Sequence, residues 1–134
     1  MRILIVSQYF WPENFRINDI VEYFKSQGNE VDILTGYPNY PEGRIFDAFK
    51  KNPNNFNEFK GAKIFRIPVR LRKKSTKIDL FLNYLTFVLS SFIFGTIKLR
   101  KKNYDVVFTF ATSPITVAIS SIYFAKIKNA KHVL

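Results

Sequence analysis

The chain opens on an unbroken apolar stretch, Ile3-Leu4-Ile5-Val6, carried on by Tyr9 and Phe10 and stopped at Trp11-Pro12. A continuous apolar run predicts a strand over 2–10 that is buried on both faces, as in parallel sheets. The period then changes: from Phe15 onward Ile17, Ile20, Val21 and Phe24 recur at helical spacing, and Gly28 stands where such a helix is capped. Glu30 to Thr35 predicts a second strand. It ends in Gly36-Tyr37-Pro38-Asn39-Tyr40-Pro41-Glu42-Gly43, where two prolines and two glycines forbid a regular element. Residues 44–60, Asn-rich around Pro53, are expected to be irregular. Ala62 to Val69 reads as a strand, followed by the basic, exposed run Arg70-Leu71-Arg72-Lys73-Lys74. Leu80 to Ile97 is long and apolar, and Tyr104 to Phe110 is another buried strand. Ile115 to Ile127 is an apolar helix with Ser113 as N-cap and Pro114 at its first position, and Lys131 to Leu134 begins a further strand. Strands alternating with helices predict an α/β, Rossmann-like, doubly wound parallel sheet whose ligands meet the carboxyl ends of the strands.

Composition narrows the class. At 134 residues the chain is the size of one domain, spanning 1–134. Its 21 Lys and Arg against 10 Asp and Glu give a net charge of +11, which favours an anionic partner: phosphate, nucleic acid or acidic lipid. The 15 Phe residues place that charge on a greasy chain, which points to a membrane surface before nucleic acid. A nucleic-acid reading would use aromatic residues as stacking platforms, but the basic residues cluster around the apolar segment instead, so no nucleic-acid partner is expected. The absence of cysteine excludes disulfides and Cys-ligated zinc, and the lone histidine, His132, makes a His-based metal site a poor expectation. The apolar start is too short for a secretion signal.

Three loops follow predicted strands. The first, Trp11 to Arg16, offers Glu13, Asn14, Phe15 and Arg16; it lacks G-x-G-x-x-G, so direct dinucleotide binding is disfavoured, yet Arg16 suits a bidentate grip on phosphate. The second sets Tyr37, Asn39 and Tyr40 among rigid prolines, a surface that suits sugars. The third, Ala111-Thr112-Ser113-Pro114, brings the hydroxyls of Thr112 and Ser113 to the start of a helix. Taken singly, a capping loop, a turn packed on its own aromatics and an ordinary N-cap account for these loops as well as ligand binding does. Their co-location on one sheet edge is what favours a site. No nucleophilic triad, metal cluster or paired-carboxylate site assembles, so no catalytic residue and no metal is assigned.

At these loops the chain resembles family 4 glycosyltransferases. The stretches that carry the resemblance are Ile3 to Phe10 followed by Trp-Pro-Glu-Asn-Phe-Arg-Ile-Asn-Asp, then Leu-Thr-Gly-Tyr-Pro-Asn-Tyr-Pro-Glu-Gly, then Phe-Ala-Thr-Ser-Pro. It is most similar to bacterial capsule, O-antigen and colanic-acid enzymes of the fucosyl- or N-acetylfucosaminyl-transferase type. The resemblance implies a retaining GT-B enzyme of two Rossmann-like domains, of which this chain is the N-terminal, acceptor-side half, truncated before the donor-binding domain and inactive alone. It implies a nucleotide-sugar donor, held mainly by the other domain, and a polyprenyl-diphosphate-linked saccharide acceptor in surface polysaccharide assembly, with no further cofactor. A non-catalytic membrane-binding α/β module working with a separate donor-domain chain is the alternative. The first loop has no glycine where many members are glycine-rich, which matches the polysaccharide subgroup.

The segment 70–102 is expected to associate with the membrane. Leu80 to Ile97 is 18 residues without a charge, just long enough to span. Strands on either side must return to one sheet, however, and basic residues flank both ends, so there is no positive-inside asymmetry. The expectation is a helix lying in the interface of an anionic membrane, on the cytoplasmic, inner face, through Arg70, Arg72, Lys73, Lys74, Phe81, Leu85, Phe92, Lys98, Arg100, Lys101 and Lys102.

Overall fold

The structure, a computed structural model, describes residues 1–73, 76–111 and 114–134. Its elements are β1 (Arg2–Val6), α1 (Ile17–Ser26), β2 (Glu30–Gly36), α2 (Asp47–Lys51), a 3-10 turn (Pro53–Phe56), β3 (Glu58–Phe59) and β4 (Ala62–Ile67). There follow α3 (Lys77–Ser90), a π-helical turn (Ser91–Gly95), α4 (Thr96–Leu99), β5 (Val106–Thr109), α5 (Val117–Ile127) and β6 (Lys131–Val133). The six strands form one sheet in the order β3-β4-β2-β1-β5-β6, parallel except for β3, which pairs antiparallel with β4. The chain steps outward from β1 through β2 to β4, then crosses back to β5 and β6 on the other side. The strand order therefore reverses between β1 and β5.

The unbroken apolar run of β1 is explained by cover on both faces. Leu4 and Val6 pack with Leu34, Ile67, Phe87, Val107 and Phe124 under α3 and α5, whereas Ile3 and Ile5 pack with Ile17, Val21, Val31 and Ile33 under α1. Successive side chains of a strand point to opposite faces, so a central strand covered twice has no polar position to spare. Gly28, at φ +76°, ends α1 in the left-handed region that glycine adopts without strain.

Four sequence expectations change. The first strand ends at Val6 instead of Phe10, because Ser7 to Phe10 fold into the loop while staying buried. Residues 44–60 are not irregular: they hold α2, the 3-10 turn and β3, whose pairing with β4 caps the edge of the sheet. The last helix begins at Val117, with Pro114 to Thr116 in turns that make i to i+3 bonds into Val117, Ala118 and Ile119. The proposed N-cap, Ser113, lies outside the described residues, as do Thr112, Lys74 and Ser75. The apolar segment extends beyond its expected ends, forming one helix of 23 residues from Lys77 to Leu99. Thr76 caps it by accepting from the Asp79 N–H at 3.2 Å.

That helix packs on the sheet through Phe87 and Leu99. In its π-helical turn Gly95 sits where a Cβ would stand 2.9 Å from the Phe124 ring and 3.1 Å from Leu34, so only glycine permits this approach to α5 and β2. Ser91 Oγ donates to Ser120 Oγ at 2.6 Å across the same contact, satisfying two buried hydroxyls that would otherwise oppose it.

Candidate functional site

The carboxyl ends of β1, β2 and β5 share one edge of the sheet, and two loops on it are bolted together from within. Glu13, 3% exposed, accepts from the backbone N–H groups of Asn39 (2.9 Å) and Tyr40 (2.7 Å) through Oε1, and from Phe10 (3.1 Å) through Oε2. Arg66, reaching up from β4, donates to the carbonyls of Phe56 (3.2 Å), Gly36 (3.2 Å) and Trp11. One carboxylate and one guanidinium thus hold the loops after β1 and β2 in register. Burial brings the Arg66 guanidinium down to about 10, with Glu13 pulling the other way, so it remains charged at neutral pH.

Burial likewise raises the Glu13 carboxyl above its ordinary value, opposed by its three N–H partners and by Arg66. A raised carboxyl contributes stability that is complete below the unfolded value and disappears as pH rises through the folded one. Glu13→Gln does not titrate. The stability of the native chain relative to this variant, from urea denaturation, should therefore fall as pH rises from about 4 to 7. A relative stability that increases over that range would contradict the assignment.

Between the ends of β1 and β5, where the strand order reverses, lies a cavity of about 280 Å³ lined by Gln8, Tyr9, Phe15, Tyr40, Arg72 and Tyr84, with Phe110 on the β5 side. Its aromatic wall is continuous: ring centroids lie 5.6 Å apart for Tyr9 and Phe15, 5.4 Å for Tyr9 and Tyr40, and 5.2 Å for Phe15 and Tyr40. Arg72 donates to the Tyr9 hydroxyl at 3.1 Å, while burial, the larger effect, holds that phenol above its ordinary value. A second cavity of about 440 Å³ adjoins it, sharing Tyr40 and Arg72 and adding Lys73, Thr76, Lys77 and Leu80.

The structure sorts the expected residues. Phe15 and Tyr40 line the first cavity, and Asn14 and Arg16 are exposed at the same edge, Arg16 standing at the N-cap position of α1 without a side-chain capping bond. Glu13 serves as a loop clamp, both of its oxygens accepting from backbone N–H groups, while buried Asn39 donates its amide to the Tyr37 carbonyl at 2.7 Å and lines the second cavity. Tyr37 turns away to pack on Phe49. Among the expected membrane residues, Arg72 donates to the Tyr9 hydroxyl, Lys102 is tied to Asp32 at 3.1 Å, and Phe92 packs on Tyr123 at 4.7 Å, so each of these three half-buried side chains is engaged within the fold. Arg70 is paired with buried Asp79 at 3.1 Å, whose other oxygen accepts from the Lys73 N–H at 2.6 Å. Phe81, Leu85, Lys73, Lys98, Arg100 and Lys101 are exposed.

Gln8, Tyr84 and Arg66 belong to no motif in the sequence, and Asn83 stands out only as one of the polar residues of the long apolar segment. The available signal was a polar residue interrupting an apolar run: Gln8 at the end of the first, Asn83 within the long helix. His132 is bound to Thr109 by its Nε2 at 2.8 Å, a contact between neighbouring strands. Among the described residues no group of His, Cys, Asp or Glu is arranged to hold a metal ion.

These features define a Rossmann-like α/β domain with two adjoining cavities at the edge formed by the carboxyl ends of its parallel strands. A solved structure similar to it is that of the glycotransferase of kitacinnamycin, with a TM-score of 0.61 at 11% identity over 98% of this chain and 29% of that one. The chain thus shares the fold of part of that structure and spans less than a third of its length. No protein-family model and no curated protein matches it.

Proposed function

We propose that this chain is the acceptor-binding domain of a retaining glycosyltransferase that moves a sugar from a nucleotide-sugar donor to a polyprenyl-diphosphate-linked saccharide in surface polysaccharide assembly. The observation that carries the reading is the aromatic-walled cavity at the β1/β5 switch point. It combines stacking rings, phenol hydroxyls and a guanidinium, a chemistry suited to a sugar beside an anion. The sequence resemblance and the GT-B-like fold support it, and donor activation belongs to a further domain.

The same reading places the protein peripherally on the cytoplasmic face of the membrane. Ile78, Phe81, Leu85, Leu89, Ile93 and Ile97 are exposed at spacings of three or four along one helical face, and Ile115, Ile119 and Ile122 continue the apolar surface beside α5. Both helices cover the same face of the sheet, so this surface is its outer skin. Basic Lys73 and Lys77 stand at one end of the long helix and Lys98, Arg100 and Lys101 at the other, which matches an anionic bilayer lying parallel to the helix. By length and composition the helix is apolar enough to cross a membrane, but it joins two strands of one sheet and contributes to the core beneath.

The purified 134-residue chain should bind a prenyl-diphosphate-linked saccharide in calorimetry yet transfer no sugar from any nucleotide sugar, because the group that stabilises the leaving nucleotide is supplied elsewhere. Turnover by this chain alone would overturn the division of labour, and failure to bind the lipid-linked saccharide would overturn the acceptor role.

A further inference from the structure

The hydrogen-bond network beneath the cavity fixes which atom of Gln8 is left over. Asn83 Nδ2 donates to the Arg70 carbonyl at 2.5 Å, so its Oδ1 is the atom that accepts from Gln8 Nε2 at 2.7 Å. The Gln8 amide is thereby oriented by its partners, and Oε1 remains. Gln8 is 4% exposed, it lines the cavity, and Oε1 has no partner among the described residues. A buried acceptor left in this state is completed by a donor.

Arg72 lines both cavities and is steadied by the Tyr9 hydroxyl. In the second cavity it is joined by Lys73 and Lys77, while the one carboxylate among the described lining residues, Glu42, is already paired with Arg44 at 2.5 Å. Leu80 closes the wall toward Ile78 and Phe81 on the exposed apolar face. Along one path the lining therefore runs from Gln8, with its buried and unpartnered Oε1, past aromatic rings and three cations to apolar side chains.

We propose that the two cavities are one site for a lipid-diphosphate-linked sugar. The sugar ring lies in the smaller cavity and donates a hydroxyl to Gln8 Oε1; the diphosphate lies in the larger one against Arg72, Lys73 and Lys77; the lipid leaves over Leu80 toward the membrane-facing helix. Resting on the acceptor reading above, this assigns the direction of the acceptor and makes Gln8 a specificity-determining residue. A cavity of about 280 Å³, near the lower bound for ligand sites, restricts the buried part to a single ring.

Calorimetry with the full chain tests the assignment using two soluble probes, a short-chain prenyl diphosphate bearing one N-acetylhexosamine and the same prenyl diphosphate without sugar. Arg72→Gln should weaken both. Gln8→Met should weaken only the sugar-bearing probe, by about tenfold, the loss of one net hydrogen bond. Thermal unfolding reports whether each variant folds. Independently of any variant, deoxyfluoro sugars, in which a hydroxyl donor becomes fluorine, should include one substitution that costs the native chain a similar factor. If no substituted position matters, or if Gln8→Met weakens both probes equally, the assignment of Gln8 fails while the acceptor reading stands. If neither probe binds, both fail.

Discussion

Replacing Arg66 by methionine should lower the stability of the fold by about 3–5 kcal/mol, read as a loss in the free energy of urea unfolding. Methionine fills much of the volume, so packing is not the main loss. The loss comes from three carbonyls, those of Trp11, Gly36 and Phe56, that give up a charged donor, and from the buried Glu13 carboxylate that loses its nearest compensating charge. Arg66→Lys should recover little of it, because one ammonium on a flexible stem does not reach three acceptors that a planar fork spans. Retention of native stability by the lysine variant would show that charge alone, without the fork, holds the loops. The same substitution should abolish ligand binding in any fraction that remains folded, since Trp11 and Gly36 belong to the loops that frame the cavities.

The triple substitution Phe81→Ser, Ile93→Ser, Ile119→Ser should reduce partitioning onto acidic liposomes by roughly a hundredfold. The three side chains are 62%, 58% and 51% exposed, so about half of each remains to be buried in lipid. At 1.5–3 kcal/mol for a complete large apolar side chain, that is about 1 kcal/mol each and about 3 kcal/mol together. Because these atoms face solvent in the folded chain, the unfolding transition should hardly move. Substituting Lys98, Arg100 and Lys101 by Gln should cost a comparable amount, about 1 kcal/mol per charge at low salt, but that loss should fade as salt screens it over ~8 Å while the apolar loss persists. Lys102 is left out because its ion pair with Asp32 belongs to the fold. Flotation unchanged by the triple substitution would turn the apolar face over to a protein partner. Labels at Lys73 and Lys101 found on opposite sides of a sealed vesicle would instead mean that the long helix spans the bilayer.

What the sequence determined by itself was the alternation of strands and helices and the edge on which to look. Those properties are carried by local periodicity: Ile3 to Val6 is apolar without a break because both of its faces are covered, and Ile17, Val21 and Phe24 recur at the helical repeat. The turn residues after β2 and the glycine after α1 announce where each element stops. Boundaries such as Val6 for β1 and Val117 for α5 were less legible, since apolar residues continue past the last ladder bond when the loop itself is buried.

Only the tertiary structure decided which side chains face the cavity. Glu13 looks like a ligand contact in a loop, but it meets backbone N–H groups 26 and 27 positions away and is consumed in holding the loops together. Arg72 sits in a basic run that reads as a solvated or membrane-facing patch, yet it reaches a tyrosine 63 positions earlier and enters the site. Gln8 and Asn83, 75 positions apart, have meaning only as a pair. A polar group's role depends on whether its hydrogen-bonding capacity is already used. Partners distant in sequence decide that, and no local pattern records them.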